Sequence, residues 1–224
     1  MFHSFALMYE VATGRFDFRQ LVNEFKEGGI SLENFRTGEI TAFSEIGEDS
    51  LTNLDLIETQ INSGVTTRFK WWIYENTDLL CQIDIQDTIV RQDCGFIAGL
   101  EPDEAKIVIS TLQARFERLA RANLGRMMLV DLRKYPSEEV DWHEFLLGKG
   151  TIERIEDLPD VLILKSQELG RINLDLTDRS DEFCPGFARV TREQCDSGQR
   201  CAGFGVSEPF GAEKSDHRRD PSRA

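Results

Sequence analysis

Histidine is rare in this chain, and one of its three copies sits among carboxylates, in Asp141-Trp142-His143-Glu144. At helical spacing, Glu139 and His143 stand at i and i+4, close enough to ligate a metal together or to work as an acid–base pair. A metal site needs a third and usually a fourth ligand, and no nearby residue supplies one, so an ordinary solvent-facing helix surface is the favoured reading. The other histidines, His3 and His217, have no catalytic context.

The cysteines are equally uncommitted. A nucleophilic thiol needs a cation or a histidine beside it to lower its pKa. Cys81 alternates with apolar residues, and Cys94 is preceded by Asp93, which acts in the opposite sense. Cys184, Cys195 and Cys201 with His217 form no zinc-ligand spacing, and the chain holds five cysteines without a C-x-x-C pair. That pattern speaks against a disulfide framework and for a reducing, cytoplasmic setting. No phosphate-binding glycine loop and no G-x-S-x-G elbow occurs. The expectation is therefore no catalytic residue, no metal and no cofactor.

Charge is the more telling feature. From Thr37 to Val90 there are ten carboxylates against two cations, Arg68 and Lys70, a net of −8 in a chain of net charge −14. Such a surface repels phosphate, which disfavours nucleic acid, and steers cationic partners toward itself. Lys106 to Lys134 runs the other way, with seven cations against Glu117 and Asp131. Arg115, Arg118 and Arg121 recur there every third residue on a helix, which reads as a solvated face, with an anion-binding stripe or internal pairing to the acidic face as alternatives.

Trp71 and Trp72 are neighbours in a strand and so project to opposite faces. Trp71 goes with Phe69 and Ile73 toward the core. Trp72 and Tyr74 stand on the other side, where they either anchor an interface or lie under a helix.

These residues are carried by recognisable elements. An alternating first strand lies in Met1 to Arg15, and Phe16 to Lys26 is a helix with Phe18, Leu21, Val22 and Phe25 on one face. A strand follows at about 39–44. Ser50 is expected to cap a helix with the stripe Leu51, Leu54, Ile57 and Ile61. A hairpin spans 68–86, with a third strand over 88–98. Glu101-Pro102-Asp103-Glu104 opens a long helix, 102–124, with Ala105, Ile109, Leu112, Phe116 and Leu119 inward. A strand over 126–133, a short helix from Ser137 to Leu147, and strands at 160–165 and 171–176 complete the body.

Successive strands with helices that do not alternate strictly with them imply an α+β fold. Its sheet should be largely antiparallel, centred on a meander at about 39–98, with the helix at about 102–124 packed on one face. Residues 1–176 form the expected domain. Residues 177–224, rich in proline, glycine and cysteine, read as a disordered or weakly packed tail. No apolar run approaches bilayer-spanning length, so no membrane partner is expected.

The functional expectation is an acidic protein-binding module, adaptor-like or neutralising, that recognises a basic protein through Glu45, Glu48, Asp49, Asp55, Asp84 and Asp87 with Trp72 and Tyr74 as anchors. The competing class is an enzyme or binding protein for an anionic small molecule, with its site between His143 and the arginines of 115–133.

Overall fold

The meander at the centre of the chain grows into a sheet of ten antiparallel strands. The computed structural model describes residues 4–96, 100–131, 140–153, 158–172 and 180–191. In chain order the strands are β1 Ser4–Val11, β2 Ile40–Phe43, β3 Asp49–Thr52, β4 Thr67–Trp72, β5 Asp78–Gln86, β6 Ile89–Phe96, β7 Gly125–Asp131, β8 Val161–Lys165, β9 Ser180–Cys184 and β10 Phe187–Thr191. Across the sheet they run β3-β2-β4-β5-β6-β1-β7-β8-β10-β9. The helices are α1 Phe18–Glu27, α2 Leu54–Asn62, α3 Pro102–Arg121 and α4 Trp142–Leu146, with a 3-10 turn at Ser166–Arg171.

Alternation sorts the strand side chains into two sets. Ala6, Met8, Phe69, Trp71, Cys81, Ile83, Cys94, Met128 and Ile163 face α1, α2 and α3 in the larger core. Around Trp71 that core is aromatic, with ring centroids 4.6 Å from Phe25, 5.3 Å from Phe69 and 6.3 Å from Phe18. Each such pair adds about 0.5–1.5 kcal/mol beyond the area it buries. Phe5, Leu7, Tyr9, Leu129, Leu162 and Leu164 face the opposite way, into a smaller core closed by Trp142 and Phe145 of α4. Strands β1 and β7 are thus buried on both sides, whereas β4 and β5 alternate buried with half-buried residues. Among the described residues, one half of the second face has no apolar cover.

Two expectations about local structure are corrected. Ser50 caps no helix; it lies in β3, paired with Ala42. Asn53 is the cap, its side chain accepting from Leu56 N at 2.9 Å. The hairpin forms because Gly47, at φ 83°, supplies the left-handed turn residue that lets Ser44 N reach Glu48 O at 3.0 Å. Similarly, the expected pairing of β8 with 171–176 is corrected at its start, since Arg171 ends a 3-10 turn, while 173–176 lie outside the described residues. The partners of β8 are β7 and β10, because the chain after Lys165 winds into the 3-10 turn instead. Arg171 holds that turn, donating to Phe145 O and Lys149 O at 2.6 Å each and lying 4.0 Å over the Phe145 ring.

The sheet also extends past the boundary set at residue 176. Strands β9 and β10 belong to it, with Cys184, Phe187 and Val190 buried. The proline-glycine turn between them obscured two short apolar runs. Residues 192–224 lie outside the described residues, as do Glu139, Arg133 and Ser137. Among the described residues, no helix is long and apolar enough to cross a membrane.

The three arginines of α3 divide: Arg118 and Arg121 are exposed, as the solvated reading expects, and Arg115 departs from it. Arg115 is 4% exposed and turns inward with Val108, Thr111 and Leu112. It donates to both carboxylate oxygens of Glu10 on β1, at 2.8 and 2.7 Å, and to Glu24 on α1. Arg118 reaches Glu24 at 3.3 Å, while Arg121 pairs with Glu117 one turn away. Burial pushes the Glu10 carboxyl above its usual range despite Arg115. Burial acts the same way on Glu24, but there Arg115, Gln20 and Arg118 outweigh it and hold its pKa below the usual range. Where α1 ends, Thr111 Oγ1 donates to Gly28 O at 3.0 Å, and a β-carbon at Gly28 would overlap the Thr111 side chain.

Removing the cation leaves inward Glu10 without a counter-charge and Glu24 with Arg118 alone. Arg115→Met is expected to cost about 3–5 kcal/mol in urea unfolding. Glu10→Gln should cost distinctly less, because it removes the group that burial already disfavours while Arg115 keeps Glu24. Equal losses for the two variants would show that Arg115 acts through packing alone.

Candidate functional site

The half of the sheet without apolar cover carries the charge. On β4, β5 and β6 the residues pointing that way are Arg68, Lys70 and Trp72, then Leu80, Gln82 and Asp84, then Arg91 and Asp93. Register sets Arg68 against Gln82 and Gln82 against Asp93, while Asp84 lies opposite Arg91. The side chains tie this surface into a hydrogen-bonded row and a neighbouring pair. Arg68 Nε donates to Gln82 Oε1 at 2.8 Å, and Gln82 Nε2 donates to Asp84 Oδ2 at 2.7 Å. Thr66 Oγ1 bonds the other Asp84 oxygen. Arg91 reaches Asp93 at 3.0 Å.

At the seam between the charged and apolar halves sits Tyr9, opposite Arg91 across the β1–β6 ladder and almost fully buried. Burial pushes its phenol up to about 12, with Arg91 pulling down and Asp93 and Asp141 pushing further up. Burial also raises the Asp93 carboxyl, against Arg91. His143 of α4 stands beside them, its ring centroid 6.4 Å from that of Tyr9. The seam therefore gathers a guanidinium, a phenol held protonated, two carboxylates and an imidazole. Within that set, the partly exposed Arg91 guanidinium is the group that can meet an anion.

The residues proposed from sequence separate into four places. Glu45, Glu48 and Asp49 cluster on the β2–β3 hairpin, Glu45 with Arg68 at 3.2 Å and Asp49 with Lys70 at 2.6 Å. Lys70 also reaches Asp78 at 3.0 Å, and although burial lowers its pKa, the bonds to Asp49 and Asp78 raise it overall. Asp55, in the first turn of α2, pairs with Arg19 of α1. Asp84 belongs to the charged row, and Asp87 occupies the β5–β6 turn with φ 55°. Trp72 and Tyr74 are at the far end of β4, a six-residue strand, so at about 3.3 Å per residue roughly 20 Å separates them from the Asp84 end. Trp71 is fully buried, as its alternation requires, while Trp72 is half-buried and Tyr74 half exposed. Trp72 Nε1 is buried with no hydrogen-bond partner.

The carboxylates are thus partly neutralised from within, by Arg19, Arg68 and Lys70 rather than by the arginines of α3. Among the described residues, Glu39, Glu48, Glu75 and Asp87 have no cation at ion-pair distance. Cys81 and Cys94 lie on the covered face, directly opposite each other with Sγ atoms 3.6 Å apart, and burial raises the Cys81 thiol. Among the described residues, no three His, Cys, Asp or Glu side chains converge as metal ligands.

Sequence reasoning passed over Tyr9, Arg91 and Asp93. Period-2 alternation on β6 did separate Arg91 and Asp93 from Val90 and Cys94; what it lacked was the pairing of β1 beside β6. No protein-family model matches the chain, and comparison with curated proteins and with solved structures finds no match.

Because the folded phenol keeps its proton to about 12 while an unfolded one releases it near 10, the unfolded state binds fewer protons between those values. Stability then falls as pH rises through that window. Tyr9→Phe is expected to flatten that alkaline decline, read as urea midpoint against pH; an unchanged slope would place the alkaline loss elsewhere.

Proposed function

We infer that this protein is a non-enzymatic binding module for a basic protein, and that the β2–β3 hairpin is the centre of its contact surface. The observation that carries this reading is the exposure of Glu45, Glu48 and Asp49 together on one hairpin, beside unpaired Glu39 and within the most acidic stretch of the chain. Long-range attraction would accelerate encounter with a cation-rich surface. The internal pairs to Arg68 and Lys70 do not cancel this field, since the two cations are outnumbered in that stretch. An adaptor or a neutraliser of a cationic protein both fit these physics.

Capture from lysate, comparing the wild-type chain with Glu45→Gln/Glu48→Gln/Asp49→Asn, tests the reading. Proteins retained at about 0.1 M salt should be basic, should be lost at about 1 M as screening shortens from about 10 to 3 Å, and should be absent with the variant. Retention unaffected by the substitutions would overturn it.

The seam at Tyr9, Arg91, Asp93 and His143 favours a second reading, recognition of an anionic small molecule. Titration with inorganic phosphate should then move the His143 ring resonances in the wild type and not in Arg91→Gln. No movement in the wild type removes this reading.

A further inference from the structure

We propose that the partner engages this protein as an added β-strand, an extended basic segment pairing with the free edge of β3. The proposal rests on the basic-partner reading above and names how that partner docks. Among the described residues, strand β3 is a sheet edge, bonded only to β2. Hydrogen bonding in an antiparallel ladder alternates, so the direction of each peptide group can be assigned. Ser44 N bonds Glu48 O, which makes the next pair, Phe43 and Asp49, a non-bonded one; Ala42–Ser50 is then bonded and Thr41–Leu51 is not. The single bridge from Ala42 to Phe69 agrees, since it turns the peptide groups of Thr41 and Phe43 toward β4. The N–H and C=O groups of Asp49 and Leu51 therefore point outward from the sheet.

Edges of this kind are usually blunted by shortness, charge (lysine above all), proline or a bulge. Strand β3 is four residues long and carries Asp49, but it has no lysine, no proline and no bulge: its sequence is Asp-Ser-Leu-Thr and its register with β2 is unbroken. The opposite edge differs, since β9 meets β10 through a register shift. Beside the open edge, Ile46 is 80% exposed and Leu51 70% exposed, side chains that an incoming strand would cover. Charge decides the occupant. A second copy laid along β3 would bring two sets of Glu45, Glu48 and Asp49 within a screening length of each other, whereas a lysine- or arginine-bearing strand would meet them favourably. Main-chain bonds would supply attachment and alternate side chains selectivity, as in other strand-addition complexes.

Two blocked peptides of equal charge test this, one alternating Lys with Val and one alternating Lys with Pro, which has half as many peptide donors. The first is expected to bind at low salt and to slow hydrogen exchange at the Asp49 and Leu51 amides. The second should bind about tenfold more weakly, through loss of ladder bonds. Leu51→Pro, which removes an outward donor and leaves the β2 ladder intact, should weaken the Lys-Val peptide to a similar degree while Leu51→Ala does not. Equal binding of both peptides, or protection confined to residues away from β3, would overturn strand addition and leave a basic partner standing. Binding of neither peptide at low salt would remove both readings.

Discussion

A single guanidinium, buried where a sheet and two helices meet, organises this molecule. Arg115 comes from α3, and its partners Glu10 and Glu24 come from β1 and α1. Taking an ion out of water costs several kcal/mol, and mutual attraction repays it only where geometry is good and the remaining donors are satisfied. The bidentate contact with Glu10 and the second carboxylate meet most of that demand, although Arg115 Nε is left without a partner. Such a cluster contributes placement more than net stability. With β1 central in the sheet, fixing α1 and α3 to it sets which face of the strands becomes the larger core.

That choice leaves the second face to be divided. Helix α4, the residues just before β8 and the 3-10 turn cover the β1, β7 and β8 side with Trp142, Phe145, Leu158 and Leu169. Nothing apolar among the described residues covers β4, β5 and β6, and their outward residues are correspondingly polar. Antiparallel sheets tolerate this arrangement, with one face on the core and the other wet. Here the wet half is not loosely solvated. Arg68, Gln82, Asp84 and Thr66 bond laterally, so the charged face is held in register by its own side chains.

Much of the fold was legible, and what was missed has a common cause. The 68–86 hairpin, the third strand and the long helix are visible because their periods are local and sustained. The caps and edges were harder. Ser50 competes with Asn53 as a helix cap, and only pairing with Ala42 decides for the strand. The arginines of α3 look alike at spacing three, but Arg115 alone meets two carboxylates contributed by residues about ninety positions or more away in sequence. For the same reason the acidic stretch could be recognised, while its division between the hairpin, α2 and the β5 end could not. Composition reports a sum of charges; the strands decide where they lie.

Acidity and the open edge are best understood together. An edge strand without lysine, proline or a bulge, beside exposed Ile46 and Leu51, is a hazard, because it can template pairing with an extended chain. A lysine on β3 would reduce that hazard indiscriminately. Carboxylates at the turn and along the strand act differently: they repel another copy of the same hairpin and leave the peptide groups of Asp49 and Leu51 available. If the edge takes a cationic segment as proposed, the same carboxylates that would repel another copy of the hairpin would also select that partner.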